Sequence, residues 1–222
     1  SKMKIRDLEE DKKWDYENGF YWFSSPSRSN KMLAHYELYK IVMNLPGDIF
    51  ELGVYKATSL IRFATIRATL ENDEARRIVG FDAFGKFPTD DLSLKSDIKF
   101  INTFEGEGGE GLSIEETNKI LKAKGFRNIQ LVKGNVNETL LKYLSNNPHT
   151  RLSILHLDMD VKEPTTLALE ILYDKVVSGG LIVLDDYNQV AGATEAIDEF
   201  VKQKGLKLQK LPYYNIPSFI VK

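Results

Sequence analysis

The chain has 222 residues, 42% apolar and 28% charged, with 30 basic against 32 acidic side chains and a formal net charge of −2. That balance leaves no general electrostatic pull toward nucleic acid, and the length suits one α/β domain with a sizeable core. The lack of cysteine excludes disulfides, thiolate metal sites and a cysteine nucleophile and fits a cytoplasmic setting; no apolar leader opens the chain, and no run is long enough for a membrane span.

Residues 1–45 read as an N-terminal helical segment of a single unit covering 1–222. Its aromatic cluster (Trp14, Tyr16 and Phe20-Tyr21-Trp22-Phe23) lies beside a Ser/Pro loop. It either staples a helix onto the core or forms a lid over a crevice. Residues 30–44 put Met32, Leu33, Tyr36, Tyr39 and Met43 at helical spacing, with His35 as a packed residue. Residues 48–54 form a strand running into Glu51-x-Gly53, and a helix over 57–70 completes the first β-turn-α of a doubly wound sheet. A strand over 77–81 ends at Asp82. Residues 83–111, with the glycine-glutamate run 106–111, read as a long exposed loop. Glutamates alternating with glycines repel phosphate, so that run is no nucleotide cradle.

Ser113 and Glu116 have capping-box spacing for a helix to about residue 124, closed by Gly125. A strand over 128–133 stops at Gly134-Asn135, and 138–144 is a short helix. The apolar strand 152–157 ends in Asp158 and Asp160. A helical pattern and a Gly179-Gly180 turn lead to a second apolar strand, 181–184, which ends in Asp185 and Asp186. Residues 193–204 are helical, and 206–211 with 218–222 form an antiparallel hairpin at a sheet edge.

The two acid-ended strands flank a crossover helix, so they are parallel and deliver four carboxylates to one sheet edge, where open α/β sheets bind ligands. So many carboxylates raise one another's pKa unless a cation intervenes. Oxygen-only donors suit a hard cation, Mg²⁺ or Ca²⁺. His156 faces the same side as Asp158 and is a structural or supporting residue. The turn Glu51-Leu52-Gly53-Val54-Tyr55-Lys56 has one glycine where a dinucleotide motif has three. Its acid suits a positively charged ligand such as S-adenosylmethionine, and Asp82 is placed to accept from ribose hydroxyls.

These segments resemble the macrocin O-methyltransferase family at Glu51-Leu-Gly-Val-Tyr, Asp82-Ala-Phe84, Leu157-Asp-Met-Asp-Val-Lys-Glu163 and Gly179-Gly-Leu-Ile-Val-Leu-Asp-Asp-Tyr187. The resemblance covers roughly residues 30–205 and implies a class I methyltransferase-like doubly wound, mostly parallel sheet. It implies methyl transfer from S-adenosylmethionine to a sugar or glycoside hydroxyl with a divalent cation. Asp158, Asp185 and Asp186 fall at the metal ligands and Asp160 at the general base. Glu51, Gly53, Val54, Tyr55, Ser59, Asp82, Phe84, Asp158 and the Gly134-Asn135-Val136 turn fall where the cofactor binds. Ala57-Thr58-Ser59 replaces the family's glycine pair, implying hydroxyl contacts to the methionine end. Lys162 replaces a common tyrosine. Family members are often dimers or larger, so a homo-oligomer is an option. Two alternatives stand beside this reading. One is a metal-dependent glycosyltransferase using the Asp-x-Asp of residues 158–160. The other is a non-catalytic binding protein docking a partner through its aromatic segment.

Overall fold

The computed structural model describes residues 2–90 and 92–222. A two-residue pair, β1 (Lys4–Ile5) and β2 (Leu8–Glu9), precedes helices α1 (Lys13–Phe23) and α2 (Pro26–Val42). The alternating part is β3 (Asp48–Leu52), α3 (Thr58–Leu70), β4 (Ile78–Asp82), α4 (Lys95–Gly108), α5 (Ile114–Ala123), β5 (Ile129–Lys133), α6 (Val136–Asn146), β6 (Leu152–Leu157), α7 (Lys162–Leu172), β7 (Val176–Leu184) and α8 (Ala191–Lys204). Strands β8 (Gln209–Lys210) and β9 (Ser218–Val221) follow.

The seven-stranded sheet runs β5-β4-β3-β6-β7-β9-β8. Strands β5 to β7 are parallel, and β9 is antiparallel to both β7 and β8. The expected doubly wound sheet with its antiparallel hairpin is therefore present. Alternation in the central strands feeds two cores on opposite faces. Phe50, Leu52, Leu155, Leu157, Ile182 and Leu184 pack toward α6, α7 and α8. Ile49, Ile154, Leu181 and Val183 pack toward α2 and α3. No helix among the described residues is long and apolar enough to cross a membrane.

The structure corrects the sequence reading at four places. Half of the expected loop at 83–111 is the helix α4, with Ile101 buried beneath it. Gly179 and Gly180 are not a turn but lie within β7. A Cβ on Gly180 would come within 3.0 Å of the Ser153 carbonyl oxygen, so the glycine serves close strand approach. The hairpin's first strand is only Gln209–Lys210, and β9 sits between it and β7. Finally, α1 buries none of its residues, and Tyr21, Trp22 and Phe23 are 69%, 71% and 84% exposed. The aromatic segment therefore does not staple a helix to this chain's core.

The sheet edge opposite the acids is locked by a polar knot. Glu71 accepts from the Tyr39 hydroxyl at 2.5 Å and from Arg76 Nε and Nη2 at 2.9 and 2.8 Å. Arg76 also donates to Ser153 Oγ at 2.7 Å, tying the α3–β4 connection to β6. Burial opposes ionisation of Glu71, but the Arg76 and Tyr39 bonds outweigh it and hold the carboxyl below its ordinary 4.5. A carboxyl depressed on folding stabilises the fold above its unfolded value and loses that contribution as pH falls through its folded one. Glu71→Gln should therefore lower the melting temperature most near neutrality, with the gap to the wild type closing below pH 4.5; calorimetric scans across pH measure it. A gap independent of pH would show that Glu71 acts through packing alone.

Candidate active site

The turn after β3 is shaped by contact with the acid-bearing edge. Gly53 has φ +97°, and a Cβ there would overlap the Asp158 carbonyl oxygen and stand 2.7 Å from its carbon. Only glycine permits both the dihedral and the approach. Asp82 fastens the same turn from β4: its Oδ1 accepts from the Val54 and Tyr55 amides at 2.9 and 3.4 Å, and its Oδ2 from the Phe84 amide at 2.7 Å.

A cavity of about 450 Å³ opens over this edge. Gly53, Tyr55, Asp82, Gly134, Asn135, Val136, Asp158 and Asp160 line it, so eight of the residues expected at the site are brought together. Its roof is the 83–111 segment, through Phe87 and Leu92 ahead of α4 and Ile101 and Phe104 within it. That roof is latched by carboxylates. Asp97 Oδ2 accepts from the Lys162 amide at 2.9 Å and the same carboxylate takes the Gly192 amide, while Glu163 Oε1 accepts from the Ser93 amide at 2.8 Å. The aromatic side chains of α1 do not line the cavity.

Other expected residues lie elsewhere. Glu51 is fully buried, 3.2 Å from His156 Nδ1, so its positive partner is inside the protein and it does not line the cavity. Ser59 is buried on α3, where its Oγ accepts from Arg62 Nη1 at 3.4 Å; the hydroxyl residue at the cavity wall is Thr58. Val54 serves through its amide, and Phe84 packs into the core at φ +53°. The side chain of Lys162 pairs with Glu195 and Glu199 of α8 at 2.6 and 3.2 Å, away from the cavity.

The four edge acids divide into two groups. Asp158, Asp160 and Asp186 each present a carboxylate oxygen within 4.8 Å of the others. Asp160 has φ +66°, a left-handed conformation held by its amide donating to Asp186 Oδ2 at 2.9 Å. Burial, then the charge of Asp158, pushes the Asp160 carboxyl up to about 7. Burial and Asp186 raise Asp158 as well, and burial and Asp160 raise Asp186. Asp185 turns the other way. Its Oδ2 is 2.6 Å from Lys31 Nζ, and its Oδ1 is 3.3 Å from His156 Nε2 and 3.6 Å from His35 Nε2. Burial opposes its ionisation, but His156, His35 and Lys31 prevail and hold it well below the usual carboxylate range.

His35, His156 and Asp185 also bring potential donors within 4.8 Å. Arg62 Nη1 lies 3.2 Å from His35 Nδ1 and can only donate, so the His35 proton sits on Nε2. Burial pushes His35 down to about 4, keeping it neutral. His156 lies between two carboxylates; burial disfavours its charge, but Asp185 and Glu51 push it up to about 10. Protons thus occupy the nitrogens a metal would need.

Sequence reading missed two of the cations at this cavity. Arg28 and Lys31 line it from α2, one turn apart. The i, i+3 spacing in residues 26–42 was the available signal.

Comparisons with known proteins fit this geometry. A family model described as macrocin-O-methyltransferase matches residues 30–213. The 8-demethyl-8-(2,3-dimethoxy-alpha-L-rhamnosyl)-tetracenomycin-C 4'-O-methyltransferase of Streptomyces olivaceus is 27% identical over 165 residues, covering 73% of this chain and 60% of that protein. The demethyldecarbamoylnovobiocin O-methyltransferase of Streptomyces niveus is 27% identical over 167 residues, covering 71% and 59%. The chain thus spans about 60% of the length of these curated relatives. The solved structure of the O-methyltransferase NovP superposes with a TM-score of 0.73 at 21% identity, over 86% of this chain and 79% of that one, a likeness of fold.

Proposed function

The chain belongs to the macrocin-O-methyltransferase family, and from that premise we propose that it transfers a methyl group from S-adenosylmethionine to a sugar or glycoside hydroxyl, assisted by a divalent cation. The observation that carries the reading is one cavity lined by Gly53, Asp82 and the 134–136 turn together with Asp158 and Asp160. The Gly53–Asp158 backbone contact sets the cofactor turn directly against the acid edge. The rhamnosyl acceptor in the tetracenomycin relative's name supports a sugar as substrate class. A cytoplasmic setting is part of the reading, supported by the absence of cysteine.

The donor set fits a hard cation: three carboxylates, oxygen only, mutually repelling and close together. Asp158, Asp185 and Asp186 would hold it, with Asp160 beside them. Such an ion lowers the pKa of a hydroxyl it coordinates. S-adenosylmethionine supplies the electrophilic methyl group. The chain's own residues do the rest. Asp160, near neutrality and at the cavity wall, takes the hydroxyl proton. Asp186 fixes the Asp160 backbone, and the apolar roof excludes water while the reacting groups are held in line.

Calorimetry with S-adenosylmethionine and, separately, a UDP-sugar distinguishes this reading from a glycosyltransferase: the first should bind and the second should not. Methyl transfer to a panel of rhamnosides and other glycosides should stop in EDTA and return with Mg²⁺. Transfer that persists in EDTA would remove the cation from the mechanism. Tight UDP-sugar binding without S-adenosylmethionine binding would overturn the reading itself.

A further inference from the structure

We propose that Lys31 is the built-in counter-ion of the acid edge, and that its ammonium and a divalent cation are alternative partners of Asp185. The inference rests on the cation binding proposed above and concerns how this chain's own residues admit the ion.

Both oxygens of Asp185 face a nitrogen. Oδ1 faces the His156 and His35 Nε2 atoms at 3.3 and 3.6 Å, and Oδ2 faces Lys31 Nζ at 2.6 Å. The two imidazoles are fixed. Both are fully buried, His35 stacks on Phe63 with ring centroids 4.9 Å apart, and His156 is backed by Glu51. Arg62 takes His35 Nδ1 and Glu51 takes His156 Nδ1, so each ring turns its Nε2 toward Asp185. That side of Asp185 is closed to an ion.

Lys31 differs on each count. Its side chain is 19% exposed, it lines the cavity, and it reaches Asp185 as a single point charge on a flexible four-carbon stem. It holds the cavity side of a carboxylate that is itself 1% exposed. Asp186, the next residue, already belongs to the trio with Asp158 and Asp160. An ion entering that trio meets Asp185 only after Lys31 withdraws. With Lys31 seated, the ammonium also compensates part of the negative charge that attracts a cation, so it competes through space as well as by contact.

The test needs no turnover. Mn²⁺ is titrated into the full-length wild type and into Lys31→Met, with the free ion followed by electron paramagnetic resonance and unfolding followed by calorimetry. Methionine keeps the stem volume and removes the charge. Lys31→Met should bind Mn²⁺ about tenfold more tightly, the scale of one partly screened ion pair. Its melting temperature, lowered without metal because Asp185 has lost a partner, should rise more on saturation than that of the wild type. Lys31→Arg keeps the charge and should bind no more tightly than wild type. Equal or weaker Mn²⁺ affinity in a folded Lys31→Met, or equal tightening in Lys31→Arg, overturns the role of Lys31 while leaving the cation reading intact. If wild type and Lys31→Met both bind no Mn²⁺, the cation reading falls and the proposal falls with it. Should Lys31→Met fold only when Mn²⁺ is present, that rescue supports the exchange; should it not fold at all, Lys31→Gln is judged by the same affinities.

Discussion

Asp160→Asn should lower kcat for methyl transfer by about a thousandfold, within the range general-base removal produces, while leaving the affinity for S-adenosylmethionine nearly unchanged. The substitution isolates the proton. Asn keeps the side-chain shape, and it tolerates the φ of +66° that Asp160 adopts, so the backbone has little reason to move. The amide that Asp160 donates to Asp186 is untouched. What is lost is a cavity carboxyl that burial and its neighbours bring to about 7, where it can accept a proton yet still release it. Single-turnover rates with saturating cofactor, beside calorimetry of cofactor binding, measure the two halves. An Asn variant with wild-type turnover would remove Asp160 from proton transfer and turn attention to Asp158 or Asp186.

Gly53→Ala should cost about 3 kcal/mol of stability or more, combining left-handed strain with overlap against fixed backbone. For a chain of this size that is a fall in melting temperature of roughly 6–12 °C. Cofactor affinity should drop as well. The added methyl meets the Asp158 carbonyl group, so relief requires β3 and β6 to separate where the Gly53 turn and the acids meet. Gly106 provides the contrast. It lies inside α4 with nothing within 4 Å of its would-be Cβ, so Gly106→Ala should be neutral or stabilising by up to about 1 kcal/mol. Thermal unfolding of both variants decides the matter, and a Gly53→Ala protein as stable as wild type would mean that the turn is looser than its contacts indicate.

The parts of this fold that sequence made legible are those with a local cause. The fully buried strand β6 and the apolar end of β7 could be read from composition, and the Ser113–Glu116 cap from spacing; both of its reciprocal bonds form at 3.0 Å. The parallel, doubly wound arrangement and the Gly53 turn followed from the same pattern. Helix α4 stayed hidden because its stretch is rich in glycine and charge, and one of its anchors is Asp97, which bonds to residues 65 and 95 positions later in the chain. Gly179 and Gly180 looked like a turn because part of what they answer to lies elsewhere in the chain: Leu45 stands beside Gly179, and Ser153 of β6 approaches Gly180. The fourfold acid cluster was visible, but its division was not: Asp185 is drawn away from its neighbours by Lys31, His35 and His156, from α2 and β6. Glu51 failed for the same reason, its charge being met by His156 rather than by a ligand.

Asp97 has a consequence for timing. Its carboxylate lies under the cavity roof yet satisfies an amide at the start of α7 and another at the start of α8. Helix ends carry unmet donors that must find water or a partner once a cap leaves. Lifting α4 therefore strips both helices of their caps in the same motion, and ligand entry and the fraying of α7 and α8 become one equilibrium rather than three. A ligand that fills the cavity and keeps the roof down would quiet, besides the α7 start that lines the cavity, the α8 start that does not.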